Sequence, residues 1–290
     1  MKEIISVSTP ATTANLGPGF DCLGLALDIW NETLFQIGQS AISICGQGEN
    51  ELTLALDNLL YQGFAKPFEL AGREVPTVSI QAKNEIPVGR GLGSSAASIV
   101  SGLIAGNTAA ERGLSQDEIL RLAAEMEGHA DNVAATLLGG LQIVVAQNQG
   151  WITSQVPLAK KISIIIFIPD KQVLTNDARA SLPVSVKLDD AVFNIGRTGL
   201  FVNSMSQGDI GKLGIATQDR MHQDYREILI PGIKLVKKAA LSAGAACVFL
   251  SGSGPSVIAI SEDREMTIGY EMAEAASKAG VQGEFKITKP

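Results

Sequence analysis

Positive charge is in short supply in this 290-residue chain: 23 Lys and Arg stand against 30 Asp and Glu, for a net charge of −7. No basic stripe is visible, which argues against nucleic acid as a partner. Any anionic ligand must therefore be held by a local site and not by a global field. Cysteine is scarce too. Cys22, Cys45 and Cys247 lie far apart, with neither zinc-ligand spacing nor a disulfide framework. They read as reduced, buried thiols of a cytoplasmic protein. No apolar run reaches membrane-spanning length; Ile162 to Pro169 is strand-sized. The opening Met-Lys-Glu-Ile-Ile-Ser-Val has no signal-peptide apolar region, and no membrane partner is expected. Internal repeats and low-complexity segments are absent as well.

What the chain does have is glycine at informative places. Residues 87–98 read Pro-Val-Gly-Arg-Gly-Leu-Gly-Ser-Ser-Ala-Ala-Ser, and a helix-like run follows from Ala96 to Ala105. Glycine allows backbone angles that other residues avoid and lets a ligand approach the chain closely. A helix that starts where such a loop ends offers unpaired N–H groups and the positive end of its dipole, a ready site for phosphate. The loop is not a Walker loop, because no lysine precedes its serines. It is not a dinucleotide fingerprint, because the spacing is Gly-x-Gly-x-Gly and it lies nearly ninety residues into the chain. The His-Arg-Asp and Asp-Phe-Gly elements of protein kinases do not occur downstream. Taken alone, the loop could also be a turn before a core helix.

The length suits one large domain or two small ones, and the 46% hydrophobic content supports a substantial core. Strands are expected at 3–9, over the alternation Leu23, Leu25, Leu27 and Ile29, at Ala41 to Cys45, at Val78 to Ala82 and at Leu141 to Ala146. Asp57 or Asn58 caps a helix toward Leu70, and Ser115 with Glu118 forms a capping box for a helix through Glu127. In the second half, Ile162 to Ile168 is a buried strand, and Cys247 to Leu250 and Ser256 to Ile260 flank a glycine turn. Helices are expected at Asp189 to Met205, Ile233 to Leu241 and Met266 to Lys278, with a final strand from Val281 to Ile287. Intermixed short elements point to an α+β architecture. The polar stretch Gln147-Asn148-Gln149-Gly150 places a boundary within 148–160, giving domains 1–153 and 154–290.

Four motifs stand together: Thr-Pro-Ala-Thr-Thr-Ala-Asn-Leu-Gly-Pro-Gly-Phe-Asp-Cys-Leu-Gly at 9–24, the glycine loop at 87–98, Glu-Gly-His-Ala-Asp-Asn at 127–132, and Ser-Gly-Ser-Gly-Pro-Ser at 251–256. Each alone is weak. Their order and spacing closely resemble the GHMP small-molecule kinases. Asn-Leu-Gly-Pro-Gly-Phe-Asp near the start and His-x-Asp-Asn in the middle resemble specifically the homoserine-phosphorylating branch. The resemblance runs from Thr9 to the last helix. It implies a two-domain α+β fold, with a ribosomal-protein-S5 domain-2-like N-terminal domain and a ferredoxin-like C-terminal domain. It implies transfer of the ATP γ-phosphoryl group, with Mg2+, to the hydroxyl of L-homoserine on the route to threonine, and it suggests a homodimer. Two departures are minor: Ala130 stands where Pro is frequent, and Ser256 where Thr is also common.

By that resemblance Pro87, Val88, Gly89, Arg90, Gly91, Leu92, Gly93, Ser94, Ser95, Ala96 and Ala97 form the ATP site. Ser95, with Ser94 as the alternative, and Glu127, with Glu125 as the alternative, hold magnesium, which prefers few protein ligands beside phosphate oxygens and water. Homoserine offers an ammonium, a carboxylate and a hydroxyl. Asn15 and Asp21 resemble the ammonium-side ligands, and Thr175, Arg179 and Arg226 the carboxylate side, with Arg220 a near neighbour of Arg226. Arginine suits a carboxylate because its donors form a matching fork. Asn132 resembles the residue that orients the attacking hydroxyl, and Gly252 and Gly254 pack against substrate and phosphate loop. His129 and Asp131 are expected to shape the site, with Asp131-Asn132 also readable as a capped helix start. His222 is expected to be structural. The competing readings are another small alcohol, such as mevalonate or a sugar, and a non-catalytic ligand-binding protein on the same fold.

Overall fold

The structure, a computed structural model, describes residues 4–148, 150–159 and 161–290. Glu3 of the expected first strand, and Gln149 and Lys160 within the expected boundary, lie outside them. The first lobe is built on β1 (Ile4–Ala14), β2 (Leu23–Ile37), β3 (Ala41–Gly46), α1 (Leu59–Leu70), β4 (Val78–Asn84), α2 (Ser94–Ala109), α3 (Gln116–Glu127), α4 (Asp131–Leu138), β5 (Leu141–Gln147) and β6 (Gly150–Val156). Its sheet runs β3-β4-β2-β5-β6, with β1 paired to β2. The 15-residue β2 holds this sheet together. One edge carries β1, and along the other β4 takes Glu32–Ile37 and β5 takes Leu23–Leu25. The β1–β2 register shifts between Pro10 and Ala11, where a residue without an N–H is tolerated.

The second lobe contains β7 (Ser163–Pro169), α5 (Thr175–Ala180), α6 (Leu188–Gln207), α7 (Leu213–Ala216), α8 (Gln223–Glu227), α9 (Ile233–Ser242), β8 (Cys247–Leu250), β9 (Val257–Ser261), α10 (Glu265–Lys278) and β10 (Gly283–Thr288). Its antiparallel sheet has the order β10-β7-β9-β8, the ferredoxin-like arrangement of a βαββαβ chain. The chain leaves the first sheet at Val156 and enters the second at Ser163, so a division after residue 153 would cut β6. Of Trp151 to Val156 only Val156 is buried, which hid that strand from the hydrophobic pattern.

The lobes share a core. Leu16, Leu23 and Leu25 pack in one cluster with Ile164, Ile166, Phe249 and Ile258. Asn58, and not Asp57, caps α1 by accepting from the Leu60 amide, and the Ser115–Glu118 capping box opens α3. Helix α2 begins two residues earlier than Ala96 and lies hard against α1: a Cβ on Gly102 would stand 2.4 Å from the Leu60 carbonyl oxygen. All three cysteines are free, but only Cys247 is buried. Cys45 sits on the outer face of edge strand β3, whose one buried residue is Ile44, and Cys22 follows the tight turn before β2. The expectation of three buried thiols fails there. No helix of the described residues is long and apolar enough to cross a membrane.

Candidate active site

The three loop glycines all have positive φ: 65° at Gly89, 74° at Gly91 and 72° at Gly93. Gly93 occupies the N-cap of α2 and no side chain caps that end, so its first-turn amides are open to an anion. Space confirms the need for glycine. A Cβ on Gly93 would lie 2.0 Å from Thr12 Oγ1, and one on Gly91 2.3 Å from the Ser251 carbonyl oxygen. The loop is held from the second lobe. Arg90 donates through Nε to Pro169 O at 2.8 Å and through Nη2 to Asp170 O, and within the loop through Nη1 to Val88 O at 2.9 Å. Ser251 Oγ is 2.7 Å from Gly91 O, and the Ser256 amide donates to Arg90 O at 3.3 Å.

A cavity of about 290 Å³ opens over this loop. At one end stand Ser95, Glu127, His129, Asp131 and Asn132. Ser95 Oγ donates to Glu127 Oε1 at 2.5 Å. Glu127 ends α3, and its side chain is only 9% exposed. Burial lifts its carboxyl above the usual range, against the Ser95 hydrogen bond and the His129 charge. His129 bridges two carboxylates, with Nε2 3.7 Å from Glu127 and Nδ1 2.8 Å from Asp131. Burial pulls the imidazole down, but the Asp131 hydrogen bond and the charges of Asp131, Glu127 and Asp21 carry it above its ordinary value. Asp131 also accepts from the Asn132 amide at 2.8 Å, and Asn132 Oδ1 accepts from Thr12 Oγ1 at 2.7 Å. Asp131 is thus the first helical residue of α4 and not its cap.

The remaining wall comes from the turn at 15–21 and from α5 and α8. Asn15 and Asp21 both have positive φ, 69° and 55°. Asn15 Oδ1 accepts from the Asp21 amide at 3.0 Å, and its Nδ2 donates to Gly252 O at 2.9 Å. Asp21 is paired with Arg179, whose Nη2 lies 3.0 and 3.1 Å from the two carboxylate oxygens. Arg226 is 2% exposed; Nη1 donates to Gly252 O at 3.0 Å, whereas Nε is buried without a hydrogen-bond partner. Burial brings this guanidinium down to about 10. Phe20 lies between the two arginines, its ring 5.6 Å from the guanidinium carbon of Arg179 and 5.2 Å from that of Arg226.

Sequence comparison accounts for this arrangement. The profile of the GHMP kinases N terminal domain matches residues 58–140, and that of GHMP kinases C terminal matches 201–278. The chain is 41% identical over 283 residues to the homoserine kinase of Nostoc punctiforme, covering 97% of this chain and 92% of that protein. It belongs to the GHMP kinases. Within them, the homoserine kinase of Synechocystis is 40% identical over 285 residues, covering 96% of this chain and 93% of the relative. A crystal structure of homoserine kinase from Cytophaga hutchinsonii superposes with a TM-score of 0.88 at 32% identity, covering 99% of this chain and 95% of that one. The L. major mevalonate kinase in complex with R-mevalonate shares the fold, with a TM-score of 0.72 at 12% identity and coverage of 99% and 96%.

Within this GHMP kinase, Pro87 to Ser95, Asn15, Asp21, Glu127, Asn132, Thr175, Arg179, Arg226 and Gly252 all line the one cavity. Ala96 and Ala97 do not; both are fully buried in core clusters. Gly254 packs behind Gly91. Glu125 points to solvent and pairs with Arg121 at 2.6 Å, so of the two glutamates only Glu127 faces the cavity. Arg220 is likewise engaged elsewhere, with Asp190 at 3.3 Å. Sequence reasoning missed Leu52 and Thr53 of the loop before α1, Leu60 in its first turn and Asn84 at the end of β4, which also line the cavity, because no motif marks them. It also missed Thr12, although Thr12 lies inside the first motif.

Proposed function

We propose that this chain transfers the γ-phosphoryl group of ATP to the hydroxyl of L-homoserine, giving O-phospho-L-homoserine and ADP. One observation carries the substrate assignment. An aspartate and two arginines converge beside a glycine loop and an open helix N-terminus, which together complement an amino-acid zwitterion next to a polyphosphate. The Gly89–Ser95 amides cradle the phosphates. Asn15 and Asp21 take the ammonium. Arg179 and Arg226, with Thr175, take the carboxylate, and the unpaired Nε of Arg226 is a donor left for it.

The oxygen pair Ser95 Oγ and Glu127 fits a hard cation such as Mg2+, and the two residues would hold it. When bound, the ion offsets phosphate charge. Asn132, fixed by Thr12, orients the hydroxyl. Its oxygen forms the new bond to phosphorus as the bond to the bridging oxygen of ADP breaks, and the proton passes to a phosphoryl oxygen. On the family resemblance His129, held through Nδ1 by Asp131, shapes the site and does not take the proton. Positioning and charge then carry the catalysis. We place the reaction in the cytoplasm and the enzyme in a homodimer, on the family resemblance. A coupled ADP-release assay against hydroxy amino acids, mevalonate and galactose tests the reading. Preferential turnover of homoserine supports it. Turnover of mevalonate or galactose without homoserine refutes the substrate, and no turnover of any refutes the enzyme.

A further inference from the structure

We propose that His222 is a positioning residue for amino-acid binding: its imidazole joins the turn that bears Asn15 and Asp21 to the guanidinium of Arg226, and so sets both ends of the subsite. The inference deepens the proposed function, because it rests on Arg226 as a carboxylate ligand.

The imidazole is fully buried. Nε2 lies 2.6 Å from Gly17 O, and Nδ1 lies 3.2 Å from Arg226 Nη1. A carbonyl oxygen only accepts and a guanidinium only donates. Nε2 must therefore carry the proton and Nδ1 the lone pair, so the tautomer is fixed from both sides. A second ring proton would aim N–H at N–H. The ring is itself held in place. Asp219 accepts from the His222 amide at 2.9 Å and the Gln223 amide at 2.7 Å, and Asn194 Nδ2 donates to Asp219 at 2.6 Å. Phe20 covers one side, with ring centroids 5.3 Å apart. The charged groups around the ring are Asp219, Arg226 and Lys237. Burial, helped by the two cations, outweighs Asp219 and brings the imidazole down to about 4. The acceptor is accordingly present throughout the neutral range, and Arg226 keeps one geometry from mildly acidic to alkaline pH.

The test compares His222→Gln, His222→Asn, Arg226→Met and the His222→Gln/Arg226→Met double variant. Homoserine and ATP affinities are measured by titration calorimetry, KM and kcat by coupled assay, and folding by thermal melts. A glutamine amide reaches the Nε2 position and leaves Nδ1 empty; an asparagine amide lies near Nδ1. His222→Gln is expected to weaken homoserine binding roughly tenfold, as for loss of one hydrogen bond to a charged group. ATP affinity and kcat at saturation should hold. His222→Asn should recover most of the loss, and it serves if the glutamine variant fails to fold. In the Arg226→Met background, His222→Gln should add nothing. An undiminished loss in that background, an equal loss for ATP, or unchanged homoserine affinity overturns the proposal. If Arg226→Met itself spares homoserine, the carboxylate reading falls and this inference with it. If Arg226→Met acts and His222→Gln does not, only the inference falls.

Discussion

Replacing Glu127 by Gln should make the protein more stable at neutral pH while nearly abolishing turnover. The side chain is 9% exposed, and burial holds its carboxyl above the ordinary value even with the Ser95 hydrogen bond and His129 working the other way. For a carboxyl raised in the folded state, the stabilising contribution is complete below the unfolded value and is lost as pH climbs through the folded one. Above the unfolded carboxyl value the group therefore weighs against folding, and a neutral amide of the same shape relieves that. Ser95 can still donate to the amide oxygen, at the roughly 0.5–1.5 kcal/mol typical of a neutral pair. Each kcal/mol relieved should raise Tm by roughly 2 °C in a chain of this size. The gain should shrink as pH falls toward the unfolded carboxyl value, where wild type is neutral too. Activity moves the opposite way, because a charged oxygen donor beside the phosphates is gone; a loss of about 10²–10³ in kcat is expected by analogy with removing one preorganised electrostatic contact. Melts from pH 4 to 8 and kcat against Mg2+ concentration give both readouts, with added Mg2+ recovering part of the rate. A variant that melts earlier than wild type at pH 7, or one that keeps full kcat, would refute the reasoning. Glu125→Gln, on the solvent side, should leave kcat near wild type.

Arg226→Met and Arg179→Ala should each raise the homoserine KM, by about 10- to 150-fold for a lost charge-assisted hydrogen bond, with the half-exposed Arg179 at the lower end. ATP KM should hold in coupled assays, and collapse of ATP binding with homoserine binding intact would be the contrary result. Thr12→Val keeps its shape and removes the donor to Asn132; kcat should drop by about 10–10²-fold through lost orientation, with both KM values little changed. His129→Gln and Asp131→Asn should retain substantial kcat over pH 6–9, whereas Asn132→Ala should lose more. A loss of about 10³-fold confined to His129 or Asp131, with the wild-type pH limb abolished, would identify that residue as a general base.

The parts of the site readable from sequence are those where residue type and backbone are locked together. Gly89, Gly91 and Gly93 had to be glycine on conformational and steric grounds, and Ser115–Glu118 announced the start of α3. What could not be read is which distant groups meet. Asp21 and Arg179, assigned to opposite ends of a substrate, are 158 residues apart and bond directly to each other. Arg90, read as part of the phosphate cradle, directs its guanidinium to carbonyls at the end of β7. His222, read as structural, reaches 205 residues back to Gly17. Strand β6 escaped notice because much of its surface is wet. Periodicity reports burial, and these features turn on long-range partners or on exposure.

The glycine loop belongs to the first lobe by sequence, yet its Gly91 and Arg90 carbonyls are hydrogen-bonded by the 251–256 turn of the second. That dual ownership limits how such kinases can be recombined. A chimera that joins residues 1–156 of this chain to the second half of a sugar or mevalonate kinase would need from that half a hydroxyl in place of Ser251 and a free backbone amide in place of Ser256 to brace the loop. Grafting a new acceptor specificity therefore means transplanting the glycine turn as a unit with the loop, and leaving Arg90 a matching strand end to grip.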